Sequence, residues 1–233
     1  MDDWWSYTLS DLLLFSPRTY YRMVERHNER VWPAHVLTLA LGFGGLMLVR
    51  RATVLYGRII SAVLAMAWLW VGWAFVWQRY ATINWAITYV VPLFAIEALL
   101  LAWVGTAKGG LTFRARREIP SVLGVGLFAI AVAFYPLLTI ISGRPWEQGE
   151  IFGVAPDPTA VATVGMLLTA EGSVRWRLLV VPLLWCAISG ATLWAMGSPE
   201  AFVMLGVAVV AVIAGVWTER QRPSDRALSL TVR

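Results

Sequence analysis

Seven apolar runs dominate this sequence: Val31 to Val49, Ile59 to Trp77, Ile83 to Val104, Ile119 to Ile141, a short Thr159 to Ala170, Leu178 to Met196 and Ala201 to Trp217. A helix rises about 1.5 Å per residue, and a bilayer's hydrocarbon core is about 30 Å thick. Six of the runs meet that length. The fifth, taken as a helix from Pro158 to Ala170, covers only about 20 Å, so it is either a mismatched span or a half-helix. With 59% hydrophobic and 14% charged residues, the chain is expected to be an all-α integral membrane protein. The predicted architecture is a polytopic helical bundle of seven transmembrane helices preceded by an amphipathic N-terminal interfacial helix. It divides into an interfacial segment (1–30), the bundle (31–217) and a cytoplasmic tail (218–233).

Charge placement sets the expected orientation. With seven spans and the N-terminus outside, the inner side receives Arg50, Arg51, Arg58, Lys108, Arg114, Arg116, Arg117, Arg175, Arg177, Arg220, Arg222, Arg226 and Arg233, which is 13 of the 19 basic residues. If the fifth segment does not cross, the best arrangement puts 12 inside with both termini there. The positive-inside rule therefore favours seven spans by a narrow margin. Basic inner loops also account for the net charge of +5, which gives no reason to expect a nucleic-acid partner. The bilayer is the expected partner. The single cysteine, Cys186, excludes an intrachain disulfide and a cysteine metal cluster. The first twenty residues lack a basic region followed by an apolar core, so no cleavable signal peptide is expected.

Before the first span, Trp4, Trp5, Tyr7, Leu9 and Leu12 to Phe15 suit insertion into the membrane interface and are too few to cross. In FSPRTYYRMVERHNER, Ser16 is placed to cap a helix with Pro17 at its first position. Glu25 and Glu29 stand at pairing distance from Arg22 and Arg26. A helix on the membrane surface follows. Arg18, Arg22, Arg26 and Arg30 recur every four residues and make one basic stripe, suited to phospholipid headgroups or to docking on a partner or on the bundle. Gly42, Gly44 and Gly45, Gly124 and Gly126, and Gly190 with Ala187 and Ala191 permit close helix approach.

The stretch WLWVGWAFVWQRYATINWA, residues 68–86, holds five of the fourteen tryptophans. At 100° per residue, Trp70, Trp73 and Trp77 share one face, and Trp68 and Phe75 lie nearly opposite. Interfacial anchoring explains Trp77 and Trp85. Trp70 lies about 10 Å deeper than Trp77, so it packs in the bundle, faces lipid or lines a pocket. Arg79 and Tyr80 open the following turn, where Gln78, Thr82 and Asn84 add polar groups and a snorkelling arginine is the simplest reading. The loop SGRPWEQGEIFGVAPDPTA is rich in turn formers and adds Arg144, Trp146, Glu147, Glu150 and Asp157 on the same side. Asp157 before Pro158 is expected to cap the short helix. Together these residues suggest an outward-facing aromatic and polar cup; surface ion pairs holding a loop down would give the same sequence.

Glu97 stands about 20 Å into the third span. An intramembrane carboxyl is costly and marks function by default, and no intramembrane Lys or Arg pairs with it. It is therefore expected to be protonated or hydrogen-bonded to Ser, Thr or Tyr, as structural glue or as a proton or ligand site. His27 and His35, even with Glu25 or Glu29, fit no standard metal-ligand spacing, and no metal or cofactor is indicated. A retinal pigment needs a lysine in the bundle, and the only lysine, Lys108, lies in a loop. Two histidines do not suffice for a seven-span zinc hydrolase or for paired haem ligation, and phosphate loops and nucleophile elbows are missing.

The blocks FSPRTYY, WxWVxWxFxWQRYATINWA and GRPWEQGEIFGVAPDPTA resemble a bacterial membrane-protein family catalogued only as a domain of unknown function. The resemblance covers essentially the whole chain and implies a multi-span, single-domain protein of the bacterial inner membrane with no assigned activity, substrate or cofactor.

Two functions follow from the residues. The first is binding or transport of a small molecule in the cup, with Trp70, Trp73, Trp77, Trp85 and Trp146 as walls, Arg79 and Arg144 as anchors, Tyr80, Asn84, Glu147, Glu150 and Asp157 at the rim and Glu97 deeper in. An anionic or amphipathic ligand would suit such a site. The second is a non-catalytic subunit or assembly factor of a larger membrane complex or a homo-oligomer. Replacing Glu97 by Gln or Leu separates them, because only the first should fail. An intramembrane enzyme would need Glu147, Glu150 or Asp157 as general acid or base, and the sequence fixes no geometry for them.

Overall fold

The computed structural model describes residues 13–171 and 175–230, with the side chains of 217–230 excepted. The aromatic residues Trp4, Trp5 and Tyr7, with Leu9 and Leu12, lie outside the described residues. Everything described is helix and connection, apart from one isolated bridge between Phe113 and Ala170.

Helix α1 spans Pro17–Val31 and starts where the sequence predicts. Ser16 is extended, and its hydroxyl accepts the Thr19 amide at 3.2 Å. Its inward face is Tyr20, Met23, Val24 and His27, all buried, a spacing of three and four that one helical face requires. The helix packs on the end of the bundle. Asn28 donates to the carbonyls of Glu147 and Gly149, both at 2.8 Å. The expected pairs of Glu25 and Glu29 with the helix's arginines do not form: Glu25 accepts instead from Gln148 at 3.1 Å, and none of the ion pairs among the described residues involves α1.

Helix α2 covers Ala34–Leu48 and α3 Val54–Val71, capped by Thr53. The α3 helix widens into a π-helical turn over Gly72–Trp77. A short tight helix, Trp85–Tyr89, leads into α4, Val91–Leu100, which widens likewise over Leu101–Ala107. Then α5, Ile119–Ala129, passes through a third wide turn, Ile130–Phe134, into α6, Tyr135–Ile141, whose second residue is Pro136. A proline removes one backbone donor, and a wide turn ahead of it absorbs the interruption without ending the rod. The remaining helices are α7, Pro156–Thr169, α8, Arg175–Ala195, and α9, Glu200–Leu230. The last continues beyond Trp217, through the region expected to be a separate tail.

Among the described residues five segments are long and apolar enough to cross a membrane: Ala34–Arg51, Val54–Thr82, Trp85–Ala107, Ile119–Ile141 and Arg175–Ala195. The apolar part of α9, Glu200–Val216, is shorter. The fifth predicted span, α7, has 14 residues, about 21 Å of helix.

All 14 residues of α7 are buried, so α7 is the axial helix of the bundle. Trp68 of α3 donates to its Thr163 hydroxyl at 2.8 Å. Against α5 the backbones nearly touch: a Cβ built on Gly124 would stand 2.5 Å from the Gly165 carbonyl oxygen, and one on Gly165 2.6 Å from that of Gly124. Only glycine permits this approach. Chain from both ends completes what α7 lacks in length. At its start, Phe152 and Val154 are buried. At its finish, the Arg114 amide donates to Thr169 O at 3.1 Å, Glu171 N to Thr112 O at 2.9 Å and Ala115 N to Val49 O at 3.2 Å. A row of rings, Trp68, Phe94 and Trp185, with centroids 4.8 and 5.0 Å apart, fills the core between α3, α4 and α8.

Candidate functional site

Helix α1, the turn from Gln78 to Val90 and the loop from Ser142 to Ala155 meet at one end of the bundle, and most of the predicted site residues come with them. They separate into a buried polar layer and an open groove.

In the buried layer, Asp157 is not the helix cap that the sequence suggests. Ala155 occupies the cap, and Asp157 is the second residue of α7, turned into the protein. Its carboxylate accepts from Trp185 Nε1 at 2.8 Å, Ser189 Oγ at 2.7 Å and, more distantly, Tyr135 OH at 3.5 Å. Glu150, also buried, accepts from Tyr20 OH at 3.0 Å through one oxygen, and its other oxygen has no partner. Burial, then the nearby Asp157 charge, pushes the Glu150 carboxyl well above the usual range, and the bond from Tyr20 opposes the rise. The Tyr20 phenol is raised by burial and by Glu150. Arg144 pairs with Glu200, which also accepts from Ser142 at 3.0 Å and from Ser198. The Arg144 guanidinium lies 3.7 Å from the centre of the Tyr21 ring, and Tyr21 donates to Ser198 at 2.9 Å. Burying three carboxyls with one arginine is tolerable only when hydrogen bonds or protonation offset the charge. A space of about 10 Å³ among Glu150, Asp157, Arg144 and Glu200 holds about one water molecule and no larger ligand.

The groove lies on the other flank of α1. It is open, has a volume of about 390 Å³, and is lined by Arg18, Thr19, Arg22, Met23, Arg26, Arg30, Arg79, Thr82 and Ile83. The four α1 arginines share a face because they recur at four-residue intervals, and Arg79 closes the groove from the turn after α3. Among the described residues no carboxylate lines it. The ion pairs among the described residues use Arg114, Arg116 and Arg144, none of them a groove residue, and Arg79 Nε is buried without a hydrogen-bond partner. Behind the groove, His27 is buried edge-on to Phe75 at 5.1 Å. Burial, then the Arg79 charge, lowers its pKa from 6.5 to about 4, against a backbone bond at Val154 that raises it.

The other predicted residues fall elsewhere. Trp68 and Phe75 are fully buried, and the opposite face of α3 is open: Trp70 is 39% exposed, Trp73 55% and Trp77 50%. Trp85 is 64% exposed and Trp146 72%, and none of the five tryptophans lines the groove. Trp70 and Trp73 lie beside one another, ring centres 5.6 Å apart, and Trp85 meets Tyr89. Tyr80 is buried against Phe15, Tyr20 and Phe75, and Asn84 caps the short helix through Ala86 N at 3.1 Å. Glu147 is exposed, with its carbonyl taken by Asn28. Glu97 is completely buried, and neither carboxyl oxygen has a partner, so the bond to Ser, Thr or Tyr considered from the sequence is not made. Sequence reasoning missed Tyr135, Trp185, Ser189 and Glu200. Only Glu200 carried a signal, as an acid in the first turn of a helix after Pro199, where helix capping is the expected reading.

Among the described residues no three His, Cys, Asp or Glu side chains are grouped to hold a metal ion. What the arrangement offers chemically is a concave surface of guanidinium groups that make no ion pair among the described residues, a charge pattern that complements an anion, above a closed acidic layer. No curated protein and no solved structure matches the chain. A family model does match, over residues 18–226, a stretch that takes in α1, the groove, the polar layer and every apolar helix, and the chain therefore belongs to the family of unknown function DUF6064.

Proposed function

We propose that this is an integral membrane protein with seven crossings, N-terminus outside, that binds an anionic small molecule at its outer end in the groove between α1 and Arg79. The observation that carries the reading is the groove itself: five arginines around about 390 Å³, with no acid among the described residues that line it. A guanidinium costs free energy to hold near four others. A site that gathers five of them gains when an anion supplies the opposing charge. The crossing count is supported by the alternation of chain ends. Each of α2 to α9, with α5 and α6 taken as one rod, joins the α1 end to the end where Val49, Leu111 and Thr169 meet, and the second end carries the basic loops. The bilayer location is supported by five segments of spanning length.

The test is titration of the purified protein in mild detergent with inorganic pyrophosphate, by calorimetry and by thermal shift. Saturable binding with a rise in melting temperature is expected, falling by about tenfold or more when Arg22 and Arg26 are both replaced by glutamine. Equal binding by that double variant, or none by the parent protein, sinks the reading.

A further inference from the structure

Trp77 stands two residues before Arg79 on the same length of chain, and Trp70 and Trp73 continue down the exposed face of α3. This stripe is apolar, aromatic and parallel to a rod of spanning length, so in a bilayer it faces acyl chains. Trp70 and Trp73 are also too deep for the interfacial anchoring that explains Trp77. Polar recognition at one end and an apolar track leading away from it match a molecule with a charged head and a hydrocarbon tail.

Resting on the anion-binding reading of the groove, we infer that its ligand is an anionic membrane phospholipid, with the phosphate held by Arg22, Arg26 and Arg79 and an acyl chain laid along Trp70, Trp73 and Trp77. Three physical points select this class. Guanidinium groups bind phosphate oxygens bidentately, which suits a phosphate ester. A choline or ethanolamine headgroup would bring a cation into a space already surrounded by five, so zwitterionic lipids are disfavoured. A soluble phosphate would use the groove but leave the tryptophan stripe idle, whereas a lipid occupies both. Arg79, which lines the groove, follows Trp77 by two residues in the chain.

The experiment is native mass spectrometry of the protein released from nanodiscs of phosphatidylcholine doped with either phosphatidylglycerol or phosphatidic acid. In parallel, soluble glycerol phosphate and inorganic pyrophosphate are titrated into the detergent-purified protein. The expected result is retention of at least one anionic phospholipid over phosphatidylcholine by about tenfold or more, lost on replacing Arg22 and Arg26 by glutamine. Trp70→Leu with Trp73→Leu should weaken lipid retention and leave pyrophosphate binding unchanged. If pyrophosphate or glycerol phosphate binds through the arginines and no anionic lipid is retained above phosphatidylcholine, the lipid inference is overturned and the groove reading survives. If neither soluble anion nor lipid depends on the arginines, both fall. Unchanged lipid retention in the double tryptophan variant overturns the acyl track. Glycerol phosphate against phosphatidic acid repeats that comparison without a mutation, and equal affinity for the two overturns it as well.

Discussion

The indole N–H of Trp185 and a carboxylate oxygen of Asp157 meet at 2.8 Å, joining the middle of α8 to the first turn of α7 with no solvent between them. Ser189, one turn further along α8, holds the other oxygen at 2.7 Å. Asp157 thereby fixes the rotation of two helices at once. Asp157→Ala leaves the indole and hydroxyl donors buried without an acceptor and should cost about 3 kcal/mol, with Asp157→Asn losing less because one acceptor oxygen remains. Thermal unfolding in detergent checks this; melting of the alanine variant at the parent temperature would mean that the helices are held by packing alone.

Gly165 tests the axial helix. A methyl group there would stand 2.6 Å from both the Gly124 carbonyl oxygen and the Phe128 amide nitrogen, so α5 and α7 must separate along their length. Overpacking of this kind costs about 1–3 kcal/mol. Gly165→Ala should lower the melting temperature, whereas Gly126→Ala, with nothing within 4 Å of its added Cβ, should leave it within about 0.5 kcal/mol of the parent.

His27 gives a pH dependence with a definite sign. The folded protein holds its ring neutral, with the pKa lowered from 6.5 to about 4 by burial first and Arg79 second. The unfolded chain takes up the proton near its ordinary value. Stability contributed by the neutral ring is therefore complete above about pH 6.5 and declines as the pH falls to about 4, by up to roughly tenfold in the unfolding constant per pH unit. Denaturation midpoints between pH 7 and pH 4 should show this slope, and His27→Gln should flatten it. An unchanged slope in the variant would assign the acid sensitivity to other groups.

Glu97 should be dispensable for stability. Both its oxygens are buried and unpartnered, a condition that costs about 1–3 kcal/mol relative to a satisfied or apolar group. Glu97→Leu is expected to raise the melting temperature. A clear loss would show that the carboxyl has a partner in the membrane-embedded protein.

These residues also mark how far the sequence could be read. Hydropathy located the apolar rods, and Ser16 with Pro17 located the start of α1, because both signals are local. The division of α3 into a buried face with Trp68 and Phe75 and an open one with Trp70, Trp73 and Trp77 follows from 3.6-residue periodicity. Which of those faces would line a cavity did not, because it depends on where α1 docks. The partners of Asp157 lie 22 residues away in α6 and 28 and 32 away in α8, and that of Glu150 lies 130 away in α1, separations at which a single sequence carries no pairing signal. The arginine stripe was legible as a stripe. That Arg79 faces it across a groove was not, since the fold alone joins them.

The complete enclosure of α7 bears on how the protein is made. A helix that never faces lipid is released from the demand to be uniformly apolar, which is why this one can carry Asp157, Thr159, Thr163 and Thr169. The same release makes it a poor candidate for independent insertion: 14 residues with a carboxyl in the first turn gain too little from hydrocarbon to stay there alone. As one of the crossings proposed above, it would enter the bilayer together with α8 as a hairpin, in which Trp185 and Ser189 bond the acid. Synthesis and packing would then be coupled at this helix.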